Sequence, residues 1–425
     1  MIAPRPGGGR PGGGTLKQRL GLGLGLAAVL GSLVLFGFVI VFSYDLLHGE
    51  KVDKPTRLAP VALTGPEQTV FSWSREACEP RDIPDLPARA FRDSNGNAQL
   101  IAAHFVNRRF VGPDLNHLRH PCGVTMHSHY NPDPAAYADH EWIAAPFSPD
   151  GRTVYALVHD EYQGNEHPGR CPSGQYLKCW YNAVTLTVST DGGRTFARPS
   201  GREGHLVASV PYRYQPDAGP VGLFAPSNIV RDKDDGYYYA MLRAERYGAQ
   251  AYGSCLIRTK MLADPTSWRA WDGKGFGRRF VDPYTDTGFT PRDHVCVPVS
   301  PQQIGAMVES LTYNEYFGKW LLVGSSQAFV STERRNVAGI YYSLSDDLIH
   351  WTQRRLIREV EFVWTYRCGD SSPVAYPSLL DPRSRSRNFG TTGRLVDLYF
   401  TRLHYANCRQ SLNRDLVRVP LRFSK

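Results

Sequence analysis

The sequence lacks the signatures of several enzyme classes. It has no P-loop, no HExxH zinc helix and no GxSxG nucleophile turn. The tail segment PGGGRPGGG is rich in glycine but precedes no strand–helix unit, so it is compositional and not a phosphate loop. No CxxC pair occurs, which argues against a thiol redox site and a thiolate zinc cluster. No Asn-x-Ser/Thr sequon is present. No long helical period follows Tyr44, which argues against Rossmann and TIM-barrel folds. The net charge of +9 is spread along the chain, with no basic helical stripe. No nucleic-acid partner is therefore expected. The basic patch at Arg383, Arg385 and Arg387 reads as a solvated loop.

What is present begins with a Gly/Pro-rich basic tail, residues 1–19, expected to be disordered. Residues 20–44 then carry no charge and are rich in Leu, Gly, Val and Phe. At about 1.5 Å per residue this run is long enough for one transmembrane helix. It is long for a signal-peptide core, and no A-x-A-like site follows, so an uncleaved signal-anchor is expected. Arg5, Arg10, Lys17 and Arg19 precede it with no acid before Asp45, placing the tail in the cytoplasm and the rest outside. A bacterial cell membrane is the expected location. Residues 45–84 read as a polar stalk and irregular lead-in, and residues 85–425 as the folded catalytic domain. All eight cysteines lie beyond the anchor, as in an oxidising exterior, and their even number permits four disulfides. Cys171 with Cys179 is the obvious local pair. Oligomeric state is not legible.

The chain is organised around residues 307–351. Glu309 opens a short apolar strand, a turn at Asn314 to Gly318 follows, and a second strand covers 319–323. A third covers 339–344 and runs into Ser345-Asp346-Asp347-Leu348, with Trp351 just beyond. Comparable units recur. One includes strands at 90–92 and 99–106 and a further strand at 122–126. Another has strands at 141–147, 153–159 and 182–189. A third has strands at 224–230, 237–242 and 255–259, and a last one at 375–380, 395–401 and 416–423. Five such units predict an all-β fold, a five-bladed β-propeller preceded by a single N-terminal transmembrane helix. Two stacked β-sandwiches are the structural rival.

Several phrases carry a family resemblance: APSNIVRDKDDGYYYAML, VESLTYNEYFGKWLLVG, SLSDDLIHWT and YPSLL. They resemble five-bladed β-propeller glycoside hydrolases of the arabinanase/xylosidase/fructosidase superfamily, over about residues 85–423. Ser189 to Phe196, STDGGRTF, resembles the Asp box of sialidase-like propellers. In such a turn the Asp accepts backbone donors, glycine relaxes φ and the final aromatic packs down. The resemblance implies glycosidase activity and a glycan substrate from the cell envelope or environment. It implies a general acid at the start of an inner strand, matched by Glu309 in V-E-S. It also implies an acidic residue early in the first blade, often as Asp-Pro, where this chain has Ala88-Arg89-Ala90. No cofactor is required. A structural calcium or other divalent ion is compatible, with a histidine near the channel bonding its water.

Glycoside hydrolysis needs two carboxyl groups flanking one bond. Beside Glu309, the richest polar cluster is His159-Asp160-Glu161-Tyr162 at a strand end, where alternation places His159 and Glu161 on one face. Glu161 is the candidate base or nucleophile, with Glu141, before Trp142, as the other choice. Candidate sugar-binding residues are Arg89, His127, His129, His159, Tyr162 and Asp370. Arginine suits carboxylates, and tyrosine faces stack on sugar rings. Two other functions stay open. One is a non-enzymatic propeller binding glycan or protein. The other is a metal-assisted hydrolase or lyase centred on His127, His129 and His159.

Overall fold

The structure is a computed structural model that describes residues 61–102, 104–199, 204–330, 334–369 and 372–425. The expected membrane run at 20–44, its tail and the first part of the stalk lie outside the described residues, as does Asp370. Among the described residues no helix is long and apolar enough to cross a membrane.

Short strands separated by turn residues pair with their neighbours in sequence. The first sheet joins Arg89–Arg92, Ala98–Ile101 and Phe110–Gly112, all antiparallel. A nine-stranded sheet follows. Its first half is His140–Phe147, Val154–Gln163 and Trp180–Ser189, with Leu206–Ala208 at the side. Its second half is Val221–Phe224, Val230–Arg231, Tyr238–Ala244, Gly253–Thr259 and Arg269–Ala270. The halves meet where Tyr181 and Asn182 pair in parallel with Val221 and Gly222. Ser310–Asn314, Lys319–Val330, Arg335–Ser345 and Arg355–Glu359 form the next antiparallel set. The last sheet runs Val374–Leu380, Leu395–Ala406 and Arg409–Phe423.

The stretch read from sequence as stalk and lead-in supplies two further strands. Val61–Leu63 and Gln68–Phe71 both pair antiparallel with Arg409–Phe423. The start of the described chain thus covers the edge of its final sheet, an edge otherwise open to association. Between these strands Glu67 reaches Arg358 at 2.6 Å and also pairs with Arg402, so it clasps two sheets.

Two expected strands are shorter than the sequence suggests. In place of 122–126, only Met126–His127 is extended, pairing with Val106–Asn107. In place of 224–230, the strand ends at Phe224 because Ala225 turns to φ 32°, and it resumes at Val230. A similar break falls within Val374–Leu380, where Tyr376 has φ 57° and precedes Pro377.

The Asp-box turn forms as its chemistry requires. Asp191 Oδ1 accepts from the Arg194 and Thr195 N–H groups, and Phe196 is buried. Ser345 to Trp351 makes a related turn: Asp347 accepts from Ile349 and His350 N–H, and the Trp351 indole donates to Leu348 O at 2.9 Å. The sheets bury apolar clusters between them, including Leu157, Val184, Leu242 and Ile257 in one and Leu321, Ile340, Leu398 and Val419 in another. The architecture is mostly β-sheet and propeller-like.

All eight cysteines are paired, as Cys78–Cys122, Cys171–Cys179, Cys255–Cys296 and Cys368–Cys408.

Candidate active site

Residues on and beside the inner strands of the sheets surround a cavity of about 70 Å³. Three carboxylates, one within a strand and two just before strands of other sheets, line it: Glu161, Asp85 and Glu309. Asp85 precedes the strand Arg89–Arg92, Glu161 lies near the end of Val154–Gln163, and Glu309 immediately precedes Ser310–Asn314. Aromatic walls come from Trp142, Trp180, Phe224, Trp364 and Tyr376. The two backbone breaks noted above, at Ala225 and Tyr376, both line this cavity. Off-pattern backbone of this kind concentrates at functional sites.

Each carboxylate has its own environment. Glu309 Oε1 accepts from Ser325 N–H at 2.8 Å, and Oε2 accepts from Val308 N–H at 3.1 Å. Burial raises its pKa above the ordinary value, and those N–H groups offset this only in part. Room for the carboxylate depends on Gly324, where an added Cβ would lie 2.2 Å from Glu309 Oε2.

Asp85 Oδ1 accepts from Tyr376 Oη at 3.0 Å and pairs with Arg414. Its pKa is also raised by burial. The Arg414 charge and the Tyr376 hydroxyl pull it back, while nearby Glu161 adds to the rise. His104 sits 3.6 Å from Asp85 Oδ2. Burial, then the Arg414 charge, hold the His104 pKa well below its usual value, so this ring is neutral at pH 7.

Glu161 accepts three side-chain hydrogen bonds. Donors are His159 Nε2 at 2.9 Å, Gln163 Nε2 at 3.0 Å and Tyr176 Oη at 3.1 Å. His159 Nδ1 accepts from Ala225 N–H at 3.2 Å. A backbone N–H only donates, so the Nδ1 lone pair is taken and the proton sits on Nε2, aimed at Glu161. The alternation expected from sequence does bring His159 and Glu161 to one face.

The other candidates lie elsewhere. Glu141 is next to Trp142 on a strand, so when Trp142 faces the cavity Glu141 faces away. Its carboxylate binds Arg198 at 2.9 Å and His129 Nδ1 at 2.6 Å. His127 is exposed, and neither it nor His129 lines the cavity. Tyr162, next to Glu161, likewise points to the opposite face, donating to Pro132 O at 3.0 Å. Arg89 is buried further along the inner strand, against the main-chain oxygen of Glu309. Arg243 lines the cavity and bonds Glu245 at 3.0 Å.

Asp85 was missed in the sequence. Its signal is faint: an acid two residues before Pro87, in an irregular stretch with no strand period. Its partners Tyr376 and Arg414 lie about 300 residues later, at separations of 291 and 329.

The described residues offer two groups of close donors, Cys78 with Asp82 and His120, and Cys171 with Cys179 and Asp217. Every sulfur in them is in a disulfide, and a metal ligand must be a thiolate. Asp82 and His120 also already bond each other at 2.8 Å. His127, His129 and His159 do not form a donor group.

No family model matches the chain, and no curated protein matches it. Among solved structures it is similar to an N-acetylgalactosamine deacetylase from F. plautii in complex with blood group B trisaccharide. The TM-score is 0.44 at 11% identity, covering 85% of this chain and 95% of that one. It is similar to an endo-arabinase from Bacteroides thetaiotaomicron, with TM-score 0.42 and 11% identity over 84% of this chain and 99% of that one. It is also similar to the α-L-arabinanase of Cellvibrio cellulosa complexed with arabinohexaose, with TM-score 0.41 and 10% identity over 79% and 90%.

Proposed function

We propose that this chain is a membrane-anchored, extracytoplasmic glycoside hydrolase built on a five-bladed β-propeller of the arabinanase/xylosidase/fructosidase superfamily. The observation that carries the reading is the meeting of Asp85, Glu161 and Glu309, from distant parts of the chain, in one aromatic-walled cavity. Flat apolar walls suit sugar faces, and opposed carboxyl groups suit acid/base cleavage of a glycosidic bond. The four disulfides accord with an exterior location, and residues 20–44 supply the anchor.

The environments divide the roles. Glu309 is buried, its carboxyl oxygens bonded to main-chain N–H groups and its pKa raised by burial, so it serves as the general acid. Asp85 has Arg414 and Tyr376 to hold its negative charge, so it serves as the base toward water or the anomeric carbon. Glu161 is held by three side-chain donors. It positions His159 and Tyr176 rather than attacking. Arg243 and His159 orient sugar hydroxyls. In the reaction the glycosidic C–O bond breaks, Glu309 gives its proton to the leaving oxygen, and water adds at the anomeric carbon as its proton passes to Asp85.

The test is a glycan panel with the full chain in detergent, comparing wild type with Glu309→Gln. Release of reducing sugar by wild type and a drop of about 10²–10⁴-fold in the variant support the mechanism. Binding without turnover in wild type would leave a glycan-binding propeller in its place.

A further inference from the structure

Further along the same inner strands lies a second cavity, with room for about one water-sized occupant. Its polar lining is Arg89, Asn228, Ser310 and Asn388, with no carboxylate and no histidine. The family resemblance implies a divalent cation near such a channel. The donor set does not fit one, because the only charged side chain lining the cavity is a guanidinium.

Arg89 is 3% exposed. Its guanidinium donates only to main-chain oxygens, those of Ala88, Pro226 and Glu309. Its buried Nε–H has no partner among the described residues. No carboxylate oxygen of a described residue lies in ion-pair contact with it. Glu309 acts on it electrostatically, but both oxygens of that carboxyl are turned to the Ser325 and Val308 N–H groups.

The other polar groups do not neutralise this charge. Asn228 bonds Leu311, accepting its N–H and donating one amide proton to its oxygen, and Asn388 bonds Ser148 in the same way, which leaves each a second amide proton and no charge. Ser310 Oγ accepts from Leu379 N–H at 3.0 Å, so its own proton is free to be donated. The cavity thus offers unused donors, the Arg89 Nε–H and the Ser310 hydroxyl among them, and one buried positive charge. Burying an unpaired charge is costly, and an enclosed anion is the direct remedy.

We propose that this axial cavity is a halide site, holding one chloride ion between Arg89 and Ser310. The site stands whether or not the larger cavity cleaves glycans.

The probe is halide itself, applied to the full chain in detergent. Thermal unfolding is followed in sodium chloride, sodium bromide and sodium gluconate at equal ionic strength. A saturable rise in Tm with chloride and bromide, absent with gluconate, is expected from binding to the folded state. Arg89→Met should abolish the dependence. Ser310→Ala should weaken it about tenfold in apparent Kd, the loss of one hydrogen bond to an ion. Should Arg89→Met fail to fold, bromide anomalous scattering from wild-type crystals gives the same answer, with a peak beside Arg89. Equal Tm values in all three salts, or no bromide peak in the cavity, would overturn the proposal. So would a calcium-dependent rise in Tm reversed by chelation and lost in Arg89→Met.

Discussion

Gly324→Ala tests the candidate acid without touching a titratable group. An added Cβ would stand 2.2 Å from Glu309 Oε2 and 3.0 Å from Met307 Cβ. Ordinary contact for such a carbon begins near 3.4 Å. The carboxyl tip must therefore retreat by on the order of 1 Å, breaking its bond to Val308 N–H, while the strand around it can stay in place. A displacement of that size costs about 100-fold in rate, or about 2.7 kcal/mol of transition-state stabilisation. The Met307 Cβ contact and the lost Val308 N–H bond should together cost about 1–3 kcal/mol of stability. The assay is kcat/KM on the glycan beside an aryl glycoside whose acidic phenol leaves without protonation. The loss should be large on the first and small on the second. A folded Gly324→Ala protein with wild-type kcat/KM on the glycan would refute the assignment of Glu309 as an acid held in this pocket.

Asp85→Asn should lower kcat/KM by about 10²–10⁴-fold. It should also destabilise by about 3 kcal/mol, because Arg414 loses its buried partner; adding Arg414→Met should restore part of that in urea unfolding but none of the activity. Stability should respond to pH in opposite senses at two glutamates. Burial raises Glu309 above its ordinary 4.5, so the folded chain holds a proton the unfolded chain has lost. That contribution is present below pH 4.5 and fades as pH rises through the folded value; Glu309→Gln should flatten this decline. At Glu67 burial favours the neutral form, but hydrogen bonds from Arg358 and Arg402 outweigh it and lower the pKa. Glu67→Gln should therefore cost about 1 kcal/mol at neutral pH, an effect that disappears as pH falls through the folded value. Asp191→Ala should cost about 1–2 kcal/mol by removing the acceptor of its turn, with kcat/KM unchanged.

Local patterns in the sequence carried most of the strand layout. Turns such as Ser189 to Phe196 and Ser345 to Trp351 bind their own backbone, so their residues announce them. The pairing of His159 with Glu161 was legible because a strand has period two. The same rule, once Trp142 is seen to face inward, turns Glu141 and Tyr162 away. Without the structure, nothing says which face is inward for either strand. Asp85 was illegible because its position depends on residues near the other end of the chain, and no periodicity surrounds it. Arg89 read as a sugar-binding residue because a lone arginine on an inner strand does not reveal its depth. Its burial against the Glu309 oxygen comes from packing among several sheets.

The pairing of Val61–Leu63 with Arg409–Phe423 sets an order on how the molecule can be made. Thr64 bonds Pro420 across a separation of 356 residues. Bringing such distant points together costs about 5 kcal/mol in chain entropy by the usual logarithmic scaling. A ribosome releases the first of these partners long before the second exists. The earliest strands must then wait, unpaired, until the final strand emerges. The four disulfides span only 44, 8, 41 and 40 residues, so each can form while synthesis is still under way. The chain can thus be fastened locally as it grows, with its two ends meeting last.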